Sequence, residues 1–242
     1  MSRGFGPNEL LDCYRRGVFP MADSADDPRL FLVDPDQRGV IPLDRFHLPR
    51  KLRRVVESDR FTVRIDTAFE RVMEMCAEAA PSRTNTWINA PIHNLYGALH
   101  RMGNAHSVEC WEGDELVGGV YGVHLNAAFF GESMFSRRTD ASKVALVHLV
   151  ARLIHGGFRL LDAQFITEHL KQFGAEEIDR EEFHRRLDNA LAVDASFGEA
   201  DYWAGGASGA VGGAAGAAGA DTAGAPACGA GAAVVQLITQ TS

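Results

Sequence analysis

The chain has 242 residues, with 24 Lys and Arg against 32 Asp and Glu and a formal net charge of −8. That length can bury a sizeable core, and the acidic balance excludes a general nucleic-acid coat, which needs a broad positive face. Charge is uneven, however: Asp44–Arg64 holds seven Arg and Lys against three acids and Glu176–Asp201 nine acids against three bases, so one basic patch for a phosphate backbone remains open.

Pro7–Arg16 reads as a helix stopped by Gly17, followed by Phe19-Pro20-Met21. A short strand near Leu30–Val33 runs into the turn Asp34-Pro35-Asp36, and Pro49 suits the first turn of a basic helix through Glu57. Phe61–Ile65 alternates as a strand, Thr67 is placed to cap a helix to about Ala79, and Asn89 with Pro91 opens another that ends at Gly103. Three strands follow, near His106–Trp111, Leu116–His124 and Ala128–Phe135, with turns at Gly113-Asp114 and Leu125-Asn126. A helix from about Ala141 to His155 ends at Gly156-Gly157. The strand Phe158–Asp162 and helices near Thr167–Phe173 and Arg180–Leu191 complete the regular part.

Residues 204–233 stand apart, because Ala and Gly fill 24 of these 30 positions. Such a segment has too little side-chain surface to offset its ordering entropy and is expected to be a flexible insert. The β-prone residues 234–242 are expected to dock as an edge strand. The boundaries are thus a small N-terminal domain over 1–60, a second domain over 61–200, the insert and a C-terminal segment. The order β-α-α-β-β-β-α-β-α implies an α+β fold, a mixed sheet with helices on both faces, in the element order of the GCN5-related N-acyltransferase superfamily.

Cys13, Cys76, Cys110 and Cys228 lack metal-ligand spacing, and the chain far exceeds a disulfide scaffold, so free thiols in a reducing compartment are expected. The N-terminal run has no apolar core of a secretory signal. No stretch approaches about 18 uncharged apolar residues, the length a membrane span needs; even Val144–Ile154 is interrupted by His148 and Arg152. A soluble cytoplasmic protein follows. The histidines show no paired metal spacing, and no metal is expected.

Four groups of residues carry candidate chemistry. Asp162 and Gln164 sit at the carboxyl end of a buried strand, two apart and therefore on one face, where a carboxylate and an amide can hold a nucleophilic amine in line. The plainer alternative has Asp162 capping a turn and Gln164 bonding backbone. Glu132 lies in the otherwise apolar strand 128–135, as an outward edge residue or as a carboxylate for a cationic substrate group. The turn Ser136–Asp140 opens the helix Ala141-Ser142-Lys143, where orphan N–H groups favour phosphate; it lacks the glycines an acyl-CoA pyrophosphate would call for. Arg50, Lys51, Arg53 and Arg54 crowd one helix, as a solvated face or as a contact with an RNA backbone. Trp87 suits stacking on a base or anchoring the helix after it.

The chain resembles the leucyl/phenylalanyl-tRNA–protein transferases of bacteria. The matching pieces include Tyr14-Arg15-Arg16-Gly17-Val18-Phe19-Pro20-Met21, Pro35-Asp36 with Arg38-Gly39-Val40, Thr86-Trp87-Ile88 and Ala105-His106-Ser107-Val108-Glu109. They continue with Gly131-Glu132-Ser133-Met134-Phe135-Ser136-Arg137, Ala141-Ser142-Lys143, Asp162 with Gln164, and Gly174-Ala175 with Glu177-Ile178. Together they cover residues 8 to about 190 in order, without the Ala/Gly insert.

The resemblance implies transfer of Leu or Phe, with Met as a further candidate, from aminoacyl-tRNA to proteins that begin with Arg or Lys. The product is a destabilising N-terminus. It assigns catalysis to Asp162 and Gln164, the acceptor to Glu132, and the aminoacyl pocket to Val120, Phe129, Met134 and Leu161. Contact with tRNA falls to Trp87, Arg50, Lys51, Arg53, Arg54, Arg137, Ser142 and Lys143. No cofactor is implied, because the ester is already activated, and a single chain is expected. Departures are Leu32-Val33 where many members carry two tryptophans, Pro49 and Lys51 in place of two common serines, and Val120 in place of a usual Met. Two rival readings are an acyl-CoA-dependent N-acyltransferase and a non-catalytic tRNA-binding module.

Overall fold

Valine, tyrosine and phenylalanine alternate with small residues through the middle of the chain, and there the longest strands form. A computed structural model describes residues 5–78, 86–198 and 229–241. In chain order the elements are α1 (Pro7–Arg15), β1 (Phe19–Met21), β2 (Phe31–Val33), β3 (Gln37–Val40), α2 (Arg50–Glu57), β4 (Thr62–Ile65), α3 (Phe69–Ala77) and α4 (Ala90–Arg101). Then come β5 (Ala105–Glu112), β6 (Glu115–Leu125), β7 (Ala128–Ser136), α5 (Ala141–His155), β8 (Leu160–Gln164), α6 (Glu168–Lys171), β9 (Glu176–Asp179), α7 (Arg180–Leu191) and α8 (Ala230–Thr241).

The fold is α+β, with a seven-stranded sheet in the order β4-β5-β6-β7-β8-β3-β9 beside a two-stranded β1-β2 ribbon. Neighbours run antiparallel except β7 and β8, which are parallel and joined through α5. Adjacent Phe129 and Phe130 show why helices cover both faces, since strand alternation sends them to opposite sides. Phe130 packs with Leu10, Tyr14, Met73, Tyr96 and Phe183 from α1, α3, α4 and α7. Phe129 packs with Leu52, Val147, Val150, Val235 and Ile238 from α2, α5 and α8. Twelve of the fifteen residues of α5 are buried, between the sheet and α2 with α8, which explains its continuous apolar run.

Local signals hold in several places. Asn89 caps α4 by accepting from the Ile92 N–H at 2.9 Å, whereas Asp140 precedes α5 in a left-handed backbone, φ 69°, with its side chain on Lys143 rather than on the helix N–H groups. Thr67 does not cap α3: Ala68 holds that position, and the Thr67 hydroxyl donates to buried Glu109, which also accepts from the Ala68 N–H at 2.7 Å. Two strands were not expected. Gln37–Val40 extends beyond the Pro35-Asp36 turn to pair with both β8 and β9, and acid-rich Glu176–Asp179 is viable because it is an edge strand with charges outward.

The expected C-terminal edge strand is instead α8. Its β-branched residues looked strand-like, but Val234, Val235 and Ile238 fall on one helical face, and Gly231 passes so close to the Val56 carbonyl that a side chain would not fit. Residues 204–228 of the Ala/Gly stretch lie outside the described residues, as do 79–85. Cys13, Cys76 and Cys110 are buried, and none of them takes part in a disulfide among the described residues. Among the described residues no helix is long and apolar enough to cross a membrane.

Candidate active site

A bulge places the first carboxylate. Gly131 pairs with Gly122 and Ser133 with Tyr121, leaving Glu132 as the extra residue of β7. Past that point the alternation is reset, so Phe129 and Met134, five residues apart, pack with the same cluster. Glu132 itself meets Tyr14 of α1 and Tyr96 of α4.

The Tyr14 hydroxyl donates to Glu132 Oε1 at 2.6 Å and the Tyr96 hydroxyl to Oε2 at 2.9 Å, while the two hydroxyl oxygens lie 2.5 Å apart. Three close contacts thus join three groups in a closed ring. An ionised carboxylate brings only the two phenol protons to it; a neutral carboxyl brings the third. Burial pushes the Glu132 carboxyl up to about 7, helped by the charge of Asp162 and opposed by the two tyrosine hydrogen bonds and Arg38. Burial first, then the neighbouring carboxylate, holds both tyrosines well above the usual phenol range, so they stay neutral donors.

The second carboxylate, Asp162 on β8, is fully buried. It accepts from Arg38 Nε on Oδ1 at 2.9 Å and from Arg38 Nη2 on Oδ2 at 2.6 Å. The Gln164 N–H donates to Oδ1 at 2.9 Å and the Gln164 Nε2 to Oδ2 at 3.2 Å. Four donors fill the four lone-pair sites of the carboxylate, so Asp162 has none left for a substrate proton. It serves instead to orient: a carboxylate only accepts, so the Gln164 amide must turn its NH₂ inward, and its carbonyl oxygen is left for another donor. Gln164 makes this reach from a left-handed backbone, φ 56°. Arg38 is held in turn by the Gly17 carbonyl at 2.9 Å and lies over the rings of Phe19 and Phe183 at 4.5 and 4.3 Å.

Beside these groups opens a cavity of about 230 Å³, lined by Val120, Met134, Leu161, Ile41, Leu146 and Leu149 on its apolar side and by Glu132 and Asp162. Three of the four expected pocket residues are therefore wall residues. Phe129 is not among the lining residues; it is buried against Phe158 and Phe197, at ring separations of 6.2 and 5.5 Å.

The basic candidates are spread more widely. Arg50, Lys51, Arg53 and Arg54 are exposed on α2, opposite buried Leu52 and Val56, and Arg53 pairs with Glu57 at 2.8 Å. At the mouth of α5, Lys143 pairs with Asp140 at 2.8 Å, Arg137 pairs with Glu78, and Ser142 is buried with its N–H on Ser136 Oγ at 3.2 Å. Trp87 is half-buried against the cluster that contains Tyr96. Sequence reasoning gave no role to Tyr14, Tyr96 or Arg38, although Tyr14 and Arg38 stood within the matching motifs.

Residues 5–36 match the family model of the leucyl/phenylalanyl-tRNA protein transferase N-terminal domain, and residues 40–188 match that of leucyl/phenylalanyl-tRNA protein transferase. The leucyl/phenylalanyl-tRNA–protein transferase of Phenylobacterium zucineum (strain HLK1) is 60% identical over 239 residues, 98% of this chain and 99% of that protein. That of Hyphomonas neptunium (strain ATCC 15444) is 67% identical over 197 residues, 81% of this chain and 76% of that protein. That of Caulobacter vibrioides (strain NA1000 / CB15N) is 60% identical over 197 residues, 81% and 91%.

Proposed function

The chain belongs to the leucyl/phenylalanyl-tRNA–protein transferase family of aminoacyltransferases, and on that footing we propose that it moves Leu or Phe from aminoacyl-tRNA to the α-amine of proteins that begin with Arg or Lys. The observation that supports this most is one cavity wall that carries apolar side chains, the Tyr-bound Glu132 and Asp162, the carboxylate that fixes the neighbouring Gln164.

The aminoacyl side chain enters the cavity against Val120, Met134 and Leu161, with Phe129 backing the wall. An apolar pocket separates side chains by only about 1–3 kcal/mol per methylene, which suits a site that accepts both Leu and Phe. Glu132 receives the cationic Arg or Lys side chain of the acceptor's first residue, whose donors complete the contact that an ionised carboxylate leaves short of a proton. The carbonyl oxygen of Gln164 accepts from the neutral amine and aligns its lone pair with the ester carbon. The amine nitrogen forms the new bond to that carbon, the ester C–O bond breaks, and tRNA leaves with its terminal ribose hydroxyl restored by the proton the amine gives up. Asp162 and Arg38 act as positioning residues. Arg50, Lys51, Arg53 and Arg54 contact the tRNA backbone with Trp87 nearby, and Arg137, Ser142 and Lys143 form a second contact. The protein works as a single chain in the cytoplasm, and the modified proteins carry a degradation signal.

The test is transfer of radiolabelled Leu from charged tRNA to a peptide that begins with Arg, beside the same peptide beginning with Ala. Incorporation into the Arg peptide alone is expected. Incorporation into neither, with acetyl-CoA supporting acetylation of the peptide, overturns the reading.

A further inference from the structure

Three titratable side chains line the cavity: Glu132, Asp162 and His169. Two are already engaged, Glu132 by Tyr14 and Tyr96 and Asp162 by Arg38 and Gln164. His169, the second residue of α6, has no hydrogen-bond partner for either ring nitrogen among the described residues. Its half-buried ring is braced instead by an edge contact with Phe173 at 5.9 Å and 77°. Phe173 is fully buried and stacks on Phe46 at 5.4 Å. An imidazole that is braced, open to the cavity and unpartnered can exchange a proton with whatever enters.

The surroundings keep this ring neutral. Burial first, and the charge of Lys143 next, hold it below the ordinary histidine value of 6.5, while Asp140 opposes them. Lys143 and Asp140 pair at 2.8 Å at the mouth of α5, so their fields largely cancel. On α6 itself exposed Glu168 and Lys171 pair at 2.5 Å. From β8, Asp162 faces the cavity already matched by Arg38, and Glu132 faces it from β7. A neutral imidazole carries one lone pair and one N–H, the form that can take up a proton and release it again.

Position brings the ring to the step that needs it. His169 lines the cavity and lies within electrostatic reach of Lys143, so it stands between the apolar pocket and the basic turn before α5. With the aminoacyl side chain in the pocket and tRNA phosphates on that turn, the terminal ribose and its ester oxygen pass this histidine.

We propose that His169 carries the proton from the attacking amine to the departing ribose oxygen. This rests on the transferase reading above and adds a catalytic residue to it. As the amine nitrogen bonds the ester carbon, the lone pair of one His169 ring nitrogen takes one of its protons. As the ester C–O bond breaks, the same nitrogen gives that proton to the ribose oxygen, and the imidazole ends as it began. The amine's other proton stays on the new amide nitrogen.

The single-turnover rate of Leu transfer from charged tRNA to a saturating Arg peptide tests this in wild type, His169→Gln and His169→Asn. The dependence on donor concentration and the pH profile are measured alongside. Both variants are expected to melt with wild type and to saturate at the same donor concentration, yet to lose roughly 10²- to 10⁴-fold in rate. The wild-type rate should fall as acid protonates the ring, below the ordinary histidine range, and that limb should be absent from the variants. A Gln variant within about twofold of the wild-type rate would overturn the proposal. So would a loss confined to donor affinity, which makes His169 a binding residue, or an acid limb that survives in both variants. Wild-type protein that transfers nothing from charged tRNA would remove the transferase reading and this proposal with it. Active wild type matched by its Gln variant would remove only the proposal.

Discussion

Arg38 and Asp162, 124 residues apart in the chain, hold each other through two charge-assisted hydrogen bonds of 2.9 and 2.6 Å with neither side chain more than 1% exposed. The pair joins β3 to β8 and fixes the carboxylate that in turn fixes Gln164. Position and stability therefore meet at one contact.

Removing one partner of a buried pair strands the other charge at a cost of about 3–5 kcal/mol. Arg38→Ala is expected to lose that much in urea denaturation. Arg38→Lys should recover part of the stability but not the two-pronged geometry, and so should transfer poorly while folded. A folded Lys variant with wild-type kcat would show that the fork does not matter.

Gln164→Ala should keep the fold, because the Asp162–Arg38 pair does not depend on it, and should lower kcat by about 10²-fold, the usual cost of losing the alignment of a reacting group. Asp162→Asn offers Arg38 and Gln164 one acceptor oxygen where two stood, so it should lower both kcat and stability. Native circular dichroism with unchanged turnover in Gln164→Ala would take that amide out of the reaction.

Glu132 gives a pH signature. Its folded-state carboxyl is raised from 4.5 to about 7, so the folded protein holds a proton that the unfolded chain has released between those values. Stability from this group is fully present below about 4.5 and is lost as pH rises to about 7. Relative to wild type, Glu132→Gln should gain in Tm across that interval and level off above it, while acceptor binding is lost. Acceptor affinity of the wild type should rise with pH through about 7 as the carboxylate ionises. A Tm difference that is flat with pH would contradict the assignment.

Replacing Arg50, Lys51, Arg53 and Arg54 by Ala should weaken Leu-tRNA binding and flatten its salt dependence, with each lost phosphate contact removing about 0.7–0.9 from the log–log slope. Arg53 should contribute least, because Glu57 already engages it at 2.8 Å. An unchanged slope would place the tRNA elsewhere.

Much of this was legible in the residues. The hairpin-linked strands of 105–136 and the buried helix after them follow from alternation and apolar length, and Asp162, Gln164 and Glu132 stood out as polar groups in apolar strands. What escaped depended on partners distant in sequence. Tyr14 and Tyr96 lie on apolar helical stripes and read as core until Glu132 is placed between them. Arg38 follows a Pro-Asp turn and looks exposed, yet it is 1% exposed. The bulge that puts Phe129 and Met134 with one cluster leaves no mark in the alternation except the charge at its centre. Four-residue strands rich in Gln, Arg or Glu exist only because a neighbour pairs with them.

The placement of β3 bears on how the protein comes to be active. Its register ties residues 37–40 to 162–164 on one side and to 176–179 on the other, so the sheet is completed by pairings among the least local in the chain. Loop-closure entropy is spent before such contacts return anything, and folds rich in them assemble slowly. Helices and the 105–136 meander can form from neighbours in sequence, whereas the Arg38–Asp162–Gln164 arrangement waits for β3 to arrive. On refolding, transfer activity should return with the slowest phase, after most of the circular dichroism signal has recovered.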